Sequence, residues 1–340
     1  MNPRRPLIRL ATAVLAFAAA PLRAAEPAPA ASPAFAFAAL GCMPYARQPD
    51  ADARFARVIA EINRHAPAFT VHLGDTIASD EKATDALLLR RREEFNTFVT
   101  ALVYTPGDNE WTDTHTEKAG GYTPTERLAA IRRMYFPEEK SLGRKPLPLV
   151  TQRRDPEFSD FVENARWVLG GVVFATVHVV GSSNNRQPNV PGAMEEWRAR
   201  DAANAAWVRA AFAAARETRA PGLALFFQAQ PFPRDTAAGG YRPGFENFMK
   251  TVEAEARAFA RPVLLVHADE HRFRLEHGMR FEGKSEPVPN VTRLETFGDR
   301  DFHAVLVTVD PQSPQVFLAG PLIVPGNGLP VLPRPAAEKK

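Results

Sequence analysis

Acidic side chains follow short apolar runs at three places in the chain. The residues are Asp75, Asp108 and Asp269, in the segments 69–75, 102–111 and 263–271. Carboxylate oxygens are preferred ligands of hard divalent cations, and such a cation can activate water for hydrolysis. If each apolar run is a buried strand, the three carboxylates stand at strand ends and can meet at one edge of a sheet. The pattern predicts one metal site at the edge of a sheet.

Other polar side chains follow predicted strands in the same way. Cys42 follows the run 34–40, Gln228 follows 223–227, and His271 lies two residues after Asp269. Oxygen ligands alone favour Mg, Mn or Ca, whereas His271 and Cys42 shift the preference toward Zn. The sequence therefore predicts a divalent metal ion and leaves its identity open.

Strand and helix patterns alternate through the first third of the chain, which predicts a parallel sheet with crossover helices. A hairpin turn is predicted at 169–171 between two later strands. One domain is predicted over 34–323, with a Pro-rich tail over 324–340. The predicted strands are 34–40, 68–73, 102–104, 161–168, 172–180, 223–227, 263–266, 272–276, 304–309 and 316–318. The helices are 50–65, 80–100, one beginning near 123, 193–218 and 245–260.

In order and spacing, these segments resemble the calcineurin-like metallophosphoesterases, as a divergent member with eroded motifs. The family pattern is Asp-x-His, Gly-Asp-x-x-Asp, Gly-Asn-His-Asp/Glu, a lone His, and Gly-His-x-His. The resemblance covers nearly all of the chain after the first residues. It implies a four-layer α/β/β/α sandwich and two metal ions that share a bridging carboxylate and activate water to attack phosphorus. The implied partner is a small phosphorylated substrate.

Two metal ligands of the family pattern keep their residue type here. Asp75 matches the bridging aspartate, and His271 matches the last histidine. Asp108 stands where the family has asparagine, and Asp269 replaces a histidine. Carboxylates at both positions still offer oxygen ligands, so the resemblance implies a metal held by Asp75 and Asp108 with Asp269 or His271.

The remaining motif positions depart further from the family. Cys42 and Pro44 fall on the first motif, and only the thiol can bind a metal, preferably a soft one. Gln228 replaces the lone histidine, and Asn109 replaces the histidine that protonates the leaving group. We therefore expect an atypical site with a single metal rather than the family pair. In this hypothesis Asn109 or His267 orients the phosphate.

Two other functions stay open beside a phosphoesterase. A pseudoenzyme or binding protein keeps the scaffold without hydrolysis, and a metal-free hydrolase uses Cys42 as nucleophile. Simpler structural roles also exist: Asp75 can cap a helix near residue 77, Asp108 and Glu110 can be turn residues, and Cys42 can be a buried apolar residue.

The first 25 residues have the features of a secretory signal peptide: arginines, a short apolar stretch and small residues at the end. The predicted product is periplasmic or secreted, by the general or the twin-arginine route. Residues 26–33 are a Pro/Ala-rich spacer. The rest of the chain has 38 basic and 39 acidic residues, so its charge favours neither nucleic acid nor an anionic membrane. One cysteine excludes an internal disulfide, and no oligomeric state is indicated.

Overall fold

The computed structural model describes residues 32–233, 240–282 and 286–329. The predicted signal peptide, the spacer up to residue 31 and the tail from residue 330 lie outside the described residues. Within the described ranges, no helix has both the length and the apolar character that a membrane crossing requires. The first strand begins at Phe35 and the last ends at Leu322. Both lie inside the predicted domain, 34–323, whose limits stay a prediction.

The described residues form thirteen strands. In chain order they are β1 (Phe35–Leu40), β2 (Phe69–His72), β3 (Ala101–Tyr104), β4 (Leu142–Gly143), β5 (Val150–Thr151), β6 (Ala165–Leu169), β7 (Val172–Thr176), β8 (Leu223–Phe226), β9 (Val263–His267), β10 (Arg274–Met279), β11 (Val288–Glu295), β12 (Ala304–Val309) and β13 (Phe317–Leu322). They build a six-stranded sheet, β13-β12-β1-β2-β3-β4, and a seven-stranded sheet, β10-β11-β9-β8-β7-β6-β5.

Both sheets are parallel at the centre and antiparallel at the margins. In the first sheet β1, β2 and β3 run parallel, and β4, β12 and β13 are added antiparallel. In the second, β7, β8, β9 and β11 run parallel. Parallel neighbours end at the same edge, so the carboxyl ends of these central strands are available to build a site.

Helices cover the outer face of each sheet. They are α1 (Ala51–His65), α2 (Asp85–Phe95), α3 (Pro124–Tyr135), α5 (Ala193–Glu217) and α6 (Glu246–Phe259), and a further short element, α4 (Gly181–Asn184), lies between β7 and α5 in the chain. Thr84 caps α2 by accepting a hydrogen bond from the Leu87 backbone N–H, and Pro124 occupies the first turn of α3. The segment α4 is a single turn with left-handed backbone angles.

Three buried apolar clusters separate the layers. One holds the first sheet against α1, α2 and α3, and includes Phe55 and Leu88. The second lies between the two sheets and packs Phe37, Phe69 and Trp167 against one another. The third packs the second sheet against α5 and α6. This is the predicted α/β/β/α order, and the fold prediction is confirmed.

Several element boundaries differ from the sequence prediction. The helix predicted over 80–100 is shorter, because residues before Thr84 and after Phe95 form turns. The strand predicted over 161–168 begins only at Ala165. The sequence does not predict β11, since Pro289 and Asn290 give its first half a turn-like composition. The hairpin turn at 169–171 is confirmed: β6 and β7 pair antiparallel, and both glycines have positive φ.

Candidate metal centre

The predicted ligands come together at the carboxyl ends of the central strands. Asp75 follows β2, Asp108 follows β3, and Asp269 follows β9. One carboxylate oxygen from each of the three lies within 4.8 Å of the others. These residues come from both sheets, so the group forms only when the sheets stack face to face.

Glycines allow the backbone to approach these carboxylates closely. A Cβ atom at Gly107 would lie 2.0 Å from Asp75 Oδ1, and a Cβ atom at Gly181 would lie 2.4 Å from Asp108 Oδ2. Both distances are far below contact distance, so any side chain at either position would displace a carboxylate. Asp75 itself has φ 55°. No helix begins near residue 77, which rules out the helix-capping role for Asp75.

Neutral groups donate to the two most buried carboxylates. Among the described residues, Asp75 accepts from Tyr45 Oη at 3.2 Å, from the Cys42 thiol at 3.5 Å and from the Asn109 backbone N–H at 3.2 Å. Asp108 Oδ2 accepts from Ser182 Oγ at 2.9 Å. Burial, followed by the charge of Asp108, raises the pKa of Asp75 well above its usual range. Burial also raises the pKa values of Asp108 and Asp269.

Gln228, at the end of β8, links all three carboxylates. Its Nε2 lies 3.0 Å from Asp75 Oδ2, 2.9 Å from Asp108 Oδ1 and 3.4 Å from Asp269 Oδ1. Its Oε1 accepts a 2.6 Å hydrogen bond from the Gly181 backbone N–H. The side chain is completely buried.

Cys42, Asp75 and one ring nitrogen of His271 form a second group with ligand atoms within 4.8 Å. His271 Nδ1 lies 2.6 Å from Asp299 Oδ1, which leaves Nε2 as the nitrogen available to a metal. Burial, followed by the charge of Asp75, raises the pKa of Cys42 well above its usual value. Such a thiol is a poor nucleophile, and this argues against the metal-free hydrolase.

The left-handed turn α4 stands over Asp108. Ser182, Ser183, Asn184 and Asn185 all have φ between 47° and 62°, a conformation that costs roughly 1–2 kcal/mol per residue outside glycine. Ser182 Oγ contacts both Asp108 Oδ2 at 2.9 Å and Asp113 Oδ1 at 2.6 Å. The turn therefore places one hydroxyl between two carboxyl groups.

The two residues expected to orient a phosphate make other contacts. Asn109 Nδ2 donates to Tyr45 Oη at 3.1 Å and to the Ile77 carbonyl at 2.9 Å. His267 Nε2 accepts from Arg293 Nε at 2.8 Å, so its Nδ1 donates to the Ala268 carbonyl at 2.9 Å. Both histidine nitrogens are thus engaged within the fold. A phosphate-orienting role for Asn109 or His267 stays a prediction.

The donors fit a hard divalent cation. Three carboxylate oxygens converge, glycines leave the space that this requires, and the hydrogen-bond donors to Asp75 and Asp108 are neutral. Burying several carboxylates without a positive charge is unfavourable, and a divalent cation would balance them. The second set, Cys42, Asp75 and His271, offers one sulfur, one oxygen and one nitrogen donor.

A groove lies beside this centre, and Asp113 connects the two through Ser182. Its lining includes Asp113, the carboxyl partner of Ser182, and two cations, Arg47 and Lys118. Arg47 Nε pairs with Asp299 at 3.3 Å, whereas the Lys118 side chain is exposed. The remaining lining residues are Ser79, Asp80 and Thr116, so every residue that lines the groove is of a polar type.

No family model matches the chain, and no curated protein matches its sequence. Solved structures do match its fold. A dimetal phosphatase from Danio rerio superposes with a TM-score of 0.53 and 10% identity, over 84% of this chain and 98% of the other. The chain has the metallophosphoesterase fold. PhoD has a similar fold: it superposes with a TM-score of 0.50 and 14% identity, over 84% of this chain and 66% of PhoD. A purple acid phosphatase from yellow lupin (Lupinus luteus) seeds superposes with a TM-score of 0.53 and 11% identity, over 90% of this chain and 54% of that protein.

The sequence does not predict three side chains that lie at the candidate site of this metallophosphoesterase fold. Tyr45 donates to Asp75, Ser182 Oγ contacts Asp108, and Asp113 contacts the same Ser182 hydroxyl. Tyr45 and Ser182 come shortly after apolar runs, and this is the available signal. Glu110, expected only as a possible turn residue, accepts from the Thr76 and Gly107 backbone N–H groups at 2.7 and 3.1 Å. It thereby ties the two acidic loops together.

Proposed function

We propose that this protein is a metal-dependent phosphoesterase-like hydrolase with an atypical site. The observation that carries the proposal is the convergence of Asp75, Asp108 and Asp269 on a metallophosphoesterase fold. Mg, Mn and Ca suit this oxygen set, and Zn suits the neighbouring set with Cys42 and His271. The substrate class is a small phosphate ester.

Each group of side chains would have a separate role in this reaction. The three carboxylates that converge would hold the cation. A bound divalent cation polarises a phosphoryl oxygen and lowers the pKa of water. Asp113 lines the groove beside Ser182 and is the carboxyl group placed to give a proton to the leaving oxygen, since the amide of Asn109 is not an acid. Lys118 and Arg47 would bind the substrate's negative charge.

A second function, ligand binding without hydrolysis, is favoured by one observation. The family histidines that bind metal and protonate the leaving group are Gln228 and Asn109 here, and both side chains make hydrogen bonds within the fold. A pseudoenzyme of this kind would be stabilised by metal and phosphate ester together but would not turn over.

The first test is metal analysis of the purified protein, with hydrolysis of p-nitrophenyl phosphate and its bis-ester under Mg, Mn, Ca and Zn in turn. We expect bound metal and turnover, and a loss of about a hundredfold in Asp75→Asn. Asp310→Asn, at the end of β12 and away from the ligand group, is the matched control. Turnover that is unchanged in Asp75→Asn, or absent with every ion, rejects the hydrolase. Metal-dependent stabilisation without turnover supports the binding protein.

We also propose that the protein acts after export. The basic and then apolar first 25 residues support this. A fusion of these residues to a reporter that is active only outside the cytoplasm, and that either route can export, should be active. The same fusion with Arg4 and Arg5 changed to Lys should separate the twin-arginine route from the general one. An inactive first fusion would reject export.

A further inference from the structure

The amide of Gln228 occupies the middle of the three-carboxylate group. An oxygen of Asp75, Asp108 and Asp269 lies 2.9–3.4 Å from the same nitrogen, Nε2. An NH₂ group has two hydrogens, so it cannot satisfy three carboxylates fully. A cation that contacts the same oxygens competes with this nitrogen for the same space.

The orientation of this amide is fixed by the fold. Gly181 N–H donates to Gln228 Oε1 at 2.6 Å. If the amide were turned over, its NH₂ group would face the Gly181 N–H and its oxygen would face the carboxylate oxygens, and neither contact is a hydrogen bond. Gly181 is held in turn by the left-handed turn α4. In that turn Asn184 accepts from Arg200 through both its side-chain and its backbone oxygens.

We propose that Gln228 is an internal competitor of the metal ion: its amide holds the three carboxylates together until a cation displaces it. This inference rests on the proposed function. In this proposal Gln228 is a positioning residue that lowers the affinity for the metal ion, whereas a ligand would raise it. The neighbouring Gln230 contacts Asp269 through its backbone N–H, while its side-chain oxygen accepts from Arg242.

The test measures metal affinity directly, by calorimetric titration of the full-length protein with Mn²⁺. Gln228→Met keeps the side-chain length and removes the amide, and its thioether does not bind hard cations. Competition predicts that Gln228→Met binds Mn²⁺ about tenfold more tightly, the equivalent of one charge-assisted hydrogen bond. It also predicts a lower melting temperature without metal and a larger rise with metal. Gln230→Met is the matched control and should bind as the unmodified protein does.

The possible outcomes distinguish the competitor role from the metal site itself. Weaker Mn²⁺ binding in Gln228→Met would mean that Gln228 is a ligand through Oε1, which rejects the competitor and retains the metal site. Equal affinity rejects the competitor as well. Gln228→Leu also removes the amide without adding a ligand, and it provides a second measurement if Gln228→Met does not fold. Its Mn²⁺ affinity should exceed that of the unmodified protein, and no binding in any form rejects both the metal site and the competitor.

Discussion

Arg200 binds Asn184 through two hydrogen bonds. Its Nη1 donates to Asn184 Oδ1 at 2.6 Å, and its Nη2 donates to the Asn184 carbonyl oxygen at 2.9 Å. Arg200 is completely buried in α5 and also pairs with Glu196. Because Asn184 lies in the left-handed turn that carries Gly181 and Ser182, this pair connects a core helix to the candidate metal centre.

Removing this guanidinium should destabilise the whole protein. We expect Arg200→Met to lower the free energy of unfolding by about 3–5 kcal/mol, because it removes the ion pair with Glu196 and the two hydrogen bonds to Asn184 that support the strained turn. Urea unfolding measures the change. Arg198→Met, an exposed position on the same helix, is the control and should cost less than about 0.5 kcal/mol. A small effect of Arg200→Met would show that the turn does not depend on this contact.

His72 should make the protein sensitive to acid. Its ring is completely buried and contacts Phe95 and Tyr104, and burial lowers its pKa to about 3 from an ordinary 6.5. The folded state therefore holds the neutral form, whose stabilisation is complete above pH 6.5 and is lost as the pH falls from 6.5 toward 3. The loss between pH 6.5 and 5 is about 2 kcal/mol.

Unfolding free energies at pH 7 and pH 5 measure this effect. In His72→Phe the difference between the two pH values should shrink by about 2 kcal/mol. His277→Gln, at an exposed position of β10, serves as the comparison and should keep the full difference. An unchanged pH dependence in His72→Phe would assign the acid sensitivity to other buried groups, such as His267, whose pKa burial also lowers.

Asp113 should contribute to turnover and not to metal affinity. It shares the Ser182 hydroxyl with Asp108 and lines the groove. We expect Asp113→Asn to lower kcat by roughly 10²-fold or more, the usual contribution of a proton donor, with Mn²⁺ affinity within about twofold of the unmodified protein. Asp160→Asn, at an exposed position that does not line this groove, is the control. Equal turnover in both variants would exclude Asp113 as the proton donor.

Lys118 should act on substrate affinity alone. It is an exposed cation of the groove, and reversing its charge should repel a phosphate ester. We expect Lys118→Glu to raise KM about tenfold at low salt, less at high salt, with kcat unchanged. Lys145→Glu changes the net charge equally at an exposed position that does not line this groove. If both variants raise KM to the same extent, the effect is one of net charge and the groove is not the binding site.

Local sequence patterns are enough to locate the central strands and the polar residues at their ends. Apolar runs predict β1, β2, β3, β8 and β9 within one or two residues, because buried parallel strands must be apolar on both faces. The same pattern places Asp75, Asp108 and Asp269 at strand ends, where parallel strands share one edge.

The way in which those strand ends meet depends on the packing of the whole chain. The contact between Gln228 and Asp75 joins residues 153 positions apart, and that between Ser182 and Asp108 joins residues 74 apart. No local pattern encodes such pairs, because they depend on how two sheets stack and on a left-handed turn that Arg200 holds in place through Asn184. The orientation of the Gln228 amide, nitrogen toward the carboxylates, is set by the backbone N–H of Gly181 in that turn. The residue types of the candidate ligands are therefore readable from the sequence, whereas the position of the Gln228 amide between them is determined by the tertiary structure.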